Sequence, residues 1–246
     1  MKIRNWVWKM YKKRFDDRKF DELRPISAKT GIVKRADGSA MFRIGSTIAL
    51  AAVYGPRELY PKFLQSPEKG ILRCNYNMMS FSGAGERVRP GPTRRSKEIS
   101  LVMEKALLPV LDLSDYPNAV IDVFVELLQT DAGTRCAGIT AAAMALADAG
   151  IPMKDLVSSI SVGLVGNTVV VDLNKEEEDY EEGSVDIPIA MTPRTNELTL
   201  LQLDGIISKD KLLEALQLGK KACQEIYKIQ QKALKESYSV AGGKDE

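Results

Sequence analysis

The spacing of apolar residues changes repeatedly along this 246-residue chain, and each spacing predicts a different element. Ala119 to Gln129 is almost continuously apolar through Val120, Ile121, Val123, Phe124, Val125, Leu127 and Leu128, the pattern of a buried strand. Ile139 to Ala147 is a helix without a polar face, and such a helix is buried. Between them lies Asp131-Ala132-Gly133-Thr134-Arg135. A core strand therefore turns on Gly133 and starts a buried helix, with Thr134 and Arg135 in or just before its first turn. Ile99, Val102, Met103, Ala106 and Val110 recur at helical spacing behind a cap at Thr93 or Ser96. Leu212, Leu216, Cys223, Ile226, Ala233 and Leu234 line one side of a long helix capped by Ser208.

The remaining patterns are strands. Lys29 to Ala36 and Ser39 to Ile44 read as a hairpin across Asp37-Gly38, a favoured two-residue turn. Ser46 to Tyr54 and Ile71 to Met79 follow as single strands. Val157 to Val165 and Thr168 to Leu173 form a hairpin across Gly166-Asn167, and Ser184 to Thr192 and Glu197 to Leu203 close the series. Asp16 to Pro25 is irregular, Gly55 to Gly70 is a long loop with three prolines, and Ser80 to Pro92 is glycine-rich. Each half has hairpins followed by helices. This predicts one α+β domain over residues 16–238 with an internal duplication, a basic arm over 1–15 and a frayed tail over 239–246.

Composition narrows the chemistry. The chain has no histidine, which excludes His-based triads, His-ligated zinc and imidazole acid–base catalysis. Any catalysis rests on carboxylates, Lys, Arg, Ser, Thr, Tyr or a bound cation. A net charge of +2 does not by itself argue for nucleic-acid binding. Cys74, Cys136 and Cys223 are widely spaced and predict core residues, not a zinc site or a disulfide framework. No apolar run reaches the length of a membrane span and no signal-peptide core is present, so a soluble cytoplasmic protein without membrane contact is expected.

Three features carry candidate chemistry. A helix N-terminus offers unpaired N–H groups and a positive dipole end, and Thr134 and Arg135 add a hydroxyl and a guanidinium, making an anion site. The competing reading is a turn glycine beside a solvated arginine. Arg94 and Arg95 also sit at a helix start, where the dipole disfavours cations unless an anion compensates. Asp186 stands amid Val185, Ile187, Pro188 and Ile189 on a strand, where an unpartnered carboxylate is costly. It meets a metal, an arginine or a substrate. The acidic run Glu176, Glu177, Glu178, Asp179, Glu181 and Glu182 precedes it; such runs are usually solvated, though one or two members could join Asp186 around Mg²⁺ or Mn²⁺ through oxygen ligands. Arg57, Lys62, Tyr60 and Phe63 combine charge and rings, as a single-stranded nucleic acid requires. Together these pieces fit an attack of inorganic phosphate, the co-substrate, on the terminal phosphodiester of RNA.

Several motifs carry a resemblance: Glu22-Leu23-Arg24-Pro25-Ile26, Ala51 to Glu58, Arg94 to Ser100, Asp131 to Arg135, Ala147 to Met153 and Asp172-Leu173-Asn174. In this order they resemble the RNase PH family, over roughly Asp16 to Ser237, and most closely the catalytic RNase PH-like subunit of the archaeal exosome. The resemblance implies a duplicated RNase PH fold in a hexameric ring of three heterodimers, with an inactive paralogue alternating and RNA-binding cap proteins on one face. It implies processive 3′→5′ degradation of single-stranded RNA by phosphate, with RNA tailing in reverse. By motif, Arg94 and Arg95 hold RNA or phosphate, Gly133, Thr134 and Arg135 bind the attacking phosphate, Asp186 is the catalytic aspartate, and Arg57 and Lys62 lie along the RNA path. A homohexameric RNase PH trimming tRNA 3′ ends and a non-catalytic RNA-binding ring subunit are the alternatives. One departure stands out. The family's second acidic residue lies six positions before the aspartate, where this chain has Tyr180. A shifted register gives the metal role, beside Asp186, to Asp179 or Glu182.

Overall fold

The structure, a computed structural model, describes residues 11–85, 87–181 and 183–241. Strands β1 (Ile26–Thr30), β2 (Gly38–Ile44), β3 (Thr47–Glu58), β4 (Ile71–Met78) and β5 (Ala119–Gln129) form one sheet in the order β1-β2-β3-β5-β4. Strands β6 (Ser158–Val165), β7 (Thr168–Val171), β8 (Ser184–Thr192) and β9 (Glu197–Leu201) form a second, in the order β7-β6-β8-β9. Helices α1 (Arg94–Leu107), α2 (Thr134–Asp148) and α4 (Lys209–Ala241) pack between the sheets, and α3 (Lys175–Glu178) is a single turn ahead of β8. The α+β, duplicated reading holds: each half is a sheet of antiparallel hairpins backed by a helix. The first half adds a unit that the hydrophobic pattern left open, since β4 and β5 run parallel with α1 as their crossover.

The all-apolar helix has the burial its pattern demands. Cys136 to Leu146 are buried without interruption, against β2, β3 and β5 on one side and β6 and β8 on the other. The amphipathic α4 covers the second sheet and reaches β1. At Gly219 a Cβ would stand 2.2 Å from Ile189 Cδ1, so the helix backbone approaches β8 as closely as it can. All three cysteines are buried and free. Among the described residues no helix is long and apolar enough to cross a membrane.

The first hairpin differs from its sequence pattern. β1 ends at Thr30, residues 31–37 are a loop, and the tight turn falls at Gly45-Ser46, where Ile44 pairs with Thr47. Asp37 and Gly38 do other work. The Asp37 carboxylate accepts from Gly55 N–H at 2.8 Å, and a Cβ on Gly38 would lie 2.2 Å from the Ala149 backbone nitrogen. Packing against α2 uses the Asp-Gly pair, so it does not turn the chain. β3 runs on through Pro56 to Glu58, β9 stops at Leu201, and α4 continues into the expected tail as far as Ala241. Residues 1–10 of the basic arm and 242–246 of the tail lie outside the described residues. Of the arm's remainder, Tyr11 and Arg14 are buried against the second half.

Candidate active site

The turn after β5 is built to hold an unusual backbone. Ala132 and Gly133 have φ of 53° and 61°, the left-handed region, which a side chain disfavours and glycine accepts. Two side chains hold the turn there. The Thr47 hydroxyl accepts from Asp131 N–H at 3.0 Å and lies 2.8 and 2.9 Å from the Asp131 and Ala132 carbonyls, to which it donates. Arg24 Nη1 donates to the Asp131 carbonyl at 2.5 Å. Gly133 caps α2 without a side-chain hydrogen bond. The first amides of this helix, with Thr134 buried and Arg135 half-buried, are thus left to a ligand.

Asp186 reaches the same place from the second sheet. It pairs with Gly163 across β6 and β8, where a Cβ would meet the Val185 carbonyl at 2.1 Å, so the strands close tightly at this point. Ser161 donates its hydroxyl to Asp186 Oδ1, and the Asp186 and Asp204 backbones exchange hydrogen bonds of 3.2 and 2.9 Å. Burial raises the Asp186 pKa above its ordinary value; the Ser161 hydrogen bond and Arg135 pull it back, and Asp204 adds to the rise. Glu178, at the end of α3, behaves similarly. Burial raises its pKa first and the Asp186 charge second, while Lys175 and the Gly133 amide oppose them.

These groups border two adjoining cavities. One, of about 650 Å³, is lined by Arg95, Thr134, Arg135, Lys175, Glu178 and Asp186 among others. The second, of about 570 Å³, is lined by Arg94, Arg95, Arg135, Asp186, Gln202 and Asp204 among others. Arg95, Arg135 and Asp186 belong to both, so Asp186 stands at the junction. Arg94 and Arg95 open α1, whose N-cap Thr93 forms a reciprocal capping box with Ser96. Arg135 donates to Gln202 Oε1 at 2.8 Å, and among the described residues neither it nor Arg94 or Arg95 forms an ion pair. The site gathers cations and free helix amides around one carboxylate with a raised pKa. It can bind two anionic groups side by side and move a proton or hold a cation between them.

The structure thus joins Gly133, Thr134, Arg135, Arg95 and Asp186 in one cavity and adds Arg94 in the next. It does not bring Arg57 and Lys62 there. Arg57 pairs with Val120, at the far end of β5 from Gln129, a separation of about 30 Å at the usual strand rise. It is exposed, stacked 4.7 Å over the Tyr54 ring and 3.9 Å from Asp37. Asp179 is displaced from its expected role: it is exposed, bonded to Lys175 at 2.7 Å, and lines neither cavity. Glu178 occupies the place beside Asp186 instead, because Asn174 and Glu177 form a capping box that sets the phase of the single-turn helix. Glu182 lies outside the described residues.

Sequence reasoning did not single out Glu178 within the acidic run, and it missed Ser161 and Gln202. The Asn-x-x-Glu spacing of Asn174 and Glu177 was the one available signal for α3. It also missed Tyr76, whose buried hydroxyl lies beside Thr134 without a well-formed hydrogen bond and feels the charges of Arg95 and Arg135. No group of three or more acidic, cysteine or histidine side chains suited to a metal occurs among the described residues. Two carboxylates on one cavity suit Mg²⁺, which keeps several waters and binds through one or two carboxylates plus substrate oxygens.

Known proteins resemble this chain in sequence and in fold. The chain matches the model of the 3′ exoribonuclease family in both of its parts, domain 1 over residues 22–152 and domain 2 over residues 155–222. It is 55% identical over 226 residues to the exosome complex component Rrp41 of Thermococcus kodakarensis, covering 92% of this chain and 90% of that protein. Identity to the Rrp41 of Methanopyrus kandleri is 50% over 225 residues, covering 92% and 93%. The fold resembles rice (Oryza sativa) Rrp46, with a TM-score of 0.79 at 26% identity over 90% of this chain and 100% of that one. It also resembles a chain of the Archaeoglobus fulgidus exosome with RNA bound to the active site, with a TM-score of 0.74 at 23% identity over 87% and 91%.

Proposed function

This chain belongs to the RNase PH family of 3′ exoribonucleases, and from that premise we propose that it is the catalytic subunit of an archaeal exosome, degrading RNA from its 3′ end by phosphorolysis. The observation that carries the reading is the position of Asp186 between two cavities that share Arg95 and Arg135. Thr134, Arg135 and the first amides of α2 seat inorganic phosphate. Arg94 and Arg95 hold the terminal phosphodiester. A phosphate oxygen attacks the phosphorus, the bond to the ribose 3′ oxygen breaks, and the products are a nucleoside diphosphate and RNA shortened by one residue. Run backwards, the same steps lengthen RNA. The arginines neutralise charge that accumulates on the transferring group, and positioning supplies most of the acceleration.

Asp186 delivers a proton to the leaving 3′ oxygen or shares a cation with Glu178; its raised pKa suits the first role and its neighbour the second. Mg²⁺ held by Asp186 and Glu178 would stabilise charge on the leaving oxygen. Ser161 orients Asp186, and Gln202 orients Arg135.

The exosome names of the similar proteins favour an exosome subunit over a homohexameric tRNA-trimming enzyme, and the retained Arg94, Arg95, Arg135 and Asp186 favour a catalytic over a non-catalytic ring member. The proposal includes a cytoplasmic hexameric ring of three heterodimers with an inactive paralogue, and RNA-binding cap proteins. Arg57 and Lys62 then meet RNA well before its 3′ end reaches Asp186. Incubating the chain with its paralogue, oligo(A), phosphate and Mg²⁺ is expected to release ADP only when phosphate is present. Release without phosphate, or no release, overturns the reading.

A further inference from the structure

The segment between Tyr11 and Arg24 lies outside both cavities, yet its arginines run beneath them. Arg14 is fully buried, as is Glu177. Arg14 Nε donates to Glu177 Oε1 at 2.8 Å and Nη2 to Oε2 at 2.7 Å, a two-pronged contact. The other face of the guanidinium donates to the Val171 and Asp172 carbonyls at 2.9 and 2.8 Å. The Tyr11 hydroxyl adds a bond to Glu177 Oε1 at 3.2 Å. Arg24 works in parallel. It grips both Asp172 oxygens, Nη2 to Oδ1 at 2.6 Å and Nε to Oδ2 at 2.9 Å, and reaches the Asp131 carbonyl of the α2 turn.

Between these two arginine contacts stands α3. A helix of one turn does not sustain itself, because nucleation costs more than so few hydrogen bonds return. Its geometry must come from outside. Arg14 supplies it by holding the Glu177 carboxylate, which also accepts from Asn174 N–H at 3.1 Å. Glu178 is the next residue, about 100° further round the helix, so fixing Glu177 inward fixes the direction of Glu178. Lys175 N–H also donates to Asp131 Oδ1 at 3.1 Å, tying the start of α3 to the α2 turn. A buried ion pair is seldom more stable than apolar residues of the same volume. What a two-pronged arginine adds is direction.

We propose that Arg14 is a positioning residue for the active site: through Glu177 it sets the direction of the Glu178 carboxylate, and so the geometry of the pair that Glu178 makes with Asp186. The N-terminal segment is then part of the site's support. Arg24 ties the phosphate turn to Asp172, and Arg14 ties Glu177, beside the cavity carboxylate, to the same segment. The inference rests on the reading of Glu178 and Asp186 as the carboxylates that share a divalent cation.

The test measures Mn²⁺ binding by electron paramagnetic resonance, on the whole chain assembled with its paralogue. Arg14→Lys keeps the charge and loses the fork. The double variant Arg14→Met with Glu177→Met removes both charges and leaves no orphan. Melting temperature and native mass report whether each is folded and assembled. Loss of a group that orients a metal ligand is expected to weaken Mn²⁺ binding about tenfold in either variant, and kcat is expected to fall with it. KM for phosphate and affinity for RNA are expected to stay within about twofold, because Thr134, Arg135 and Arg94 are untouched. Tyr11→Phe, which deletes a single bond to Glu177, shifts Mn²⁺ binding the same way by a smaller factor and serves if neither arginine variant assembles. Unchanged Mn²⁺ binding in the folded variants overturns the positioning role while leaving the active site as proposed. An unmodified protein that binds no Mn²⁺ yet carries out phosphorolysis overturns the shared-cation reading, and the inference with it.

Discussion

Arg14 is wholly buried and its guanidinium is matched on every side, by both Glu177 oxygens and by the Val171 and Asp172 carbonyls. Arg135, half-buried at the start of α2, donates to one neutral oxygen of Gln202 and otherwise faces open space. The carboxylates differ in the same way. Glu177 and Asp172 are gripped by arginines, whereas Glu178 and Asp186 face a cavity and each other, with burial raising both pKa values. Charges satisfied within the protein hold its shape. Charges gathered in a cavity with incomplete partners are available to a substrate.

Substitutions should separate the two regions. The largest effect is expected at the junction. Asp186→Ala lowers phosphate-dependent release of nucleoside diphosphate by up to about 10⁴-fold, while RNA affinity in a filter-binding assay is unchanged; retained turnover would show that another carboxylate acts. In the support, Arg14→Met leaves Glu177 charged, buried and alone, and should lower the unfolding free energy by about 3–5 kcal/mol in denaturant titration. Arg94→Ala, at an exposed position, should change it by less than about 0.5 kcal/mol. Equal losses at the two positions would erase the distinction.

Arg135→Ala removes charged hydrogen bonds to phosphate of about 1.5–3 kcal/mol, so KM for phosphate should rise about 10- to 100-fold, and Thr134→Ala should act in the same direction by less. RNA affinity falling by more than the phosphate requirement rises would move both residues out of the phosphate seat. The smallest effect concerns stability and pH. Asp186 has a folded pKa raised above the ordinary 3.8. It therefore favours folding below the unfolded pKa and loses that contribution as pH rises through the folded one. Asp186→Asn, which does not ionise, is expected to melt higher than the unmodified chain at neutral pH, with the gap closing as pH falls through the raised folded pKa towards 3.8. A gap that widens in acid would mean that Asp186 is stabilised as an anion.

Much of the site was legible because it depends on local order. A continuous apolar strand, a glycine turn and an apolar helix placed Thr134 and Arg135 at a helix start, and strand alternation set Asp186 apart from its neighbours. Arg94 and Arg95 stood out by occupying the disfavoured end of a helix. The reading failed where local pattern was ambiguous. Asp37-Gly38 is a good turn signal, yet contact with Ala149 and Gly55 claimed it for packing. For Arg57 and Lys62, expected along an RNA path, local pattern carried no distance, and the length of β5 separates Arg57 from the cavities around Asp186.

The acidic run marks the boundary between what the chain determined alone and what the fold decided. Residue order by itself determined most of the strands, the buried helix, the absence of imidazole chemistry and the placing of Thr134 and Arg135 at a helix start, since periodicity and turn chemistry act over a few residues; the two sheets and the meeting of that helix start with Asp186 were decided by the fold. Residue order did not determine which carboxylate stands beside Asp186, because consecutive acids on a single-turn helix are equivalent until something fixes its rotation. That contact comes from Arg14, 163 positions away, and only the tertiary structure brings it under Glu177, turning Glu178 into the cavity and leaving Asp179 in solvent.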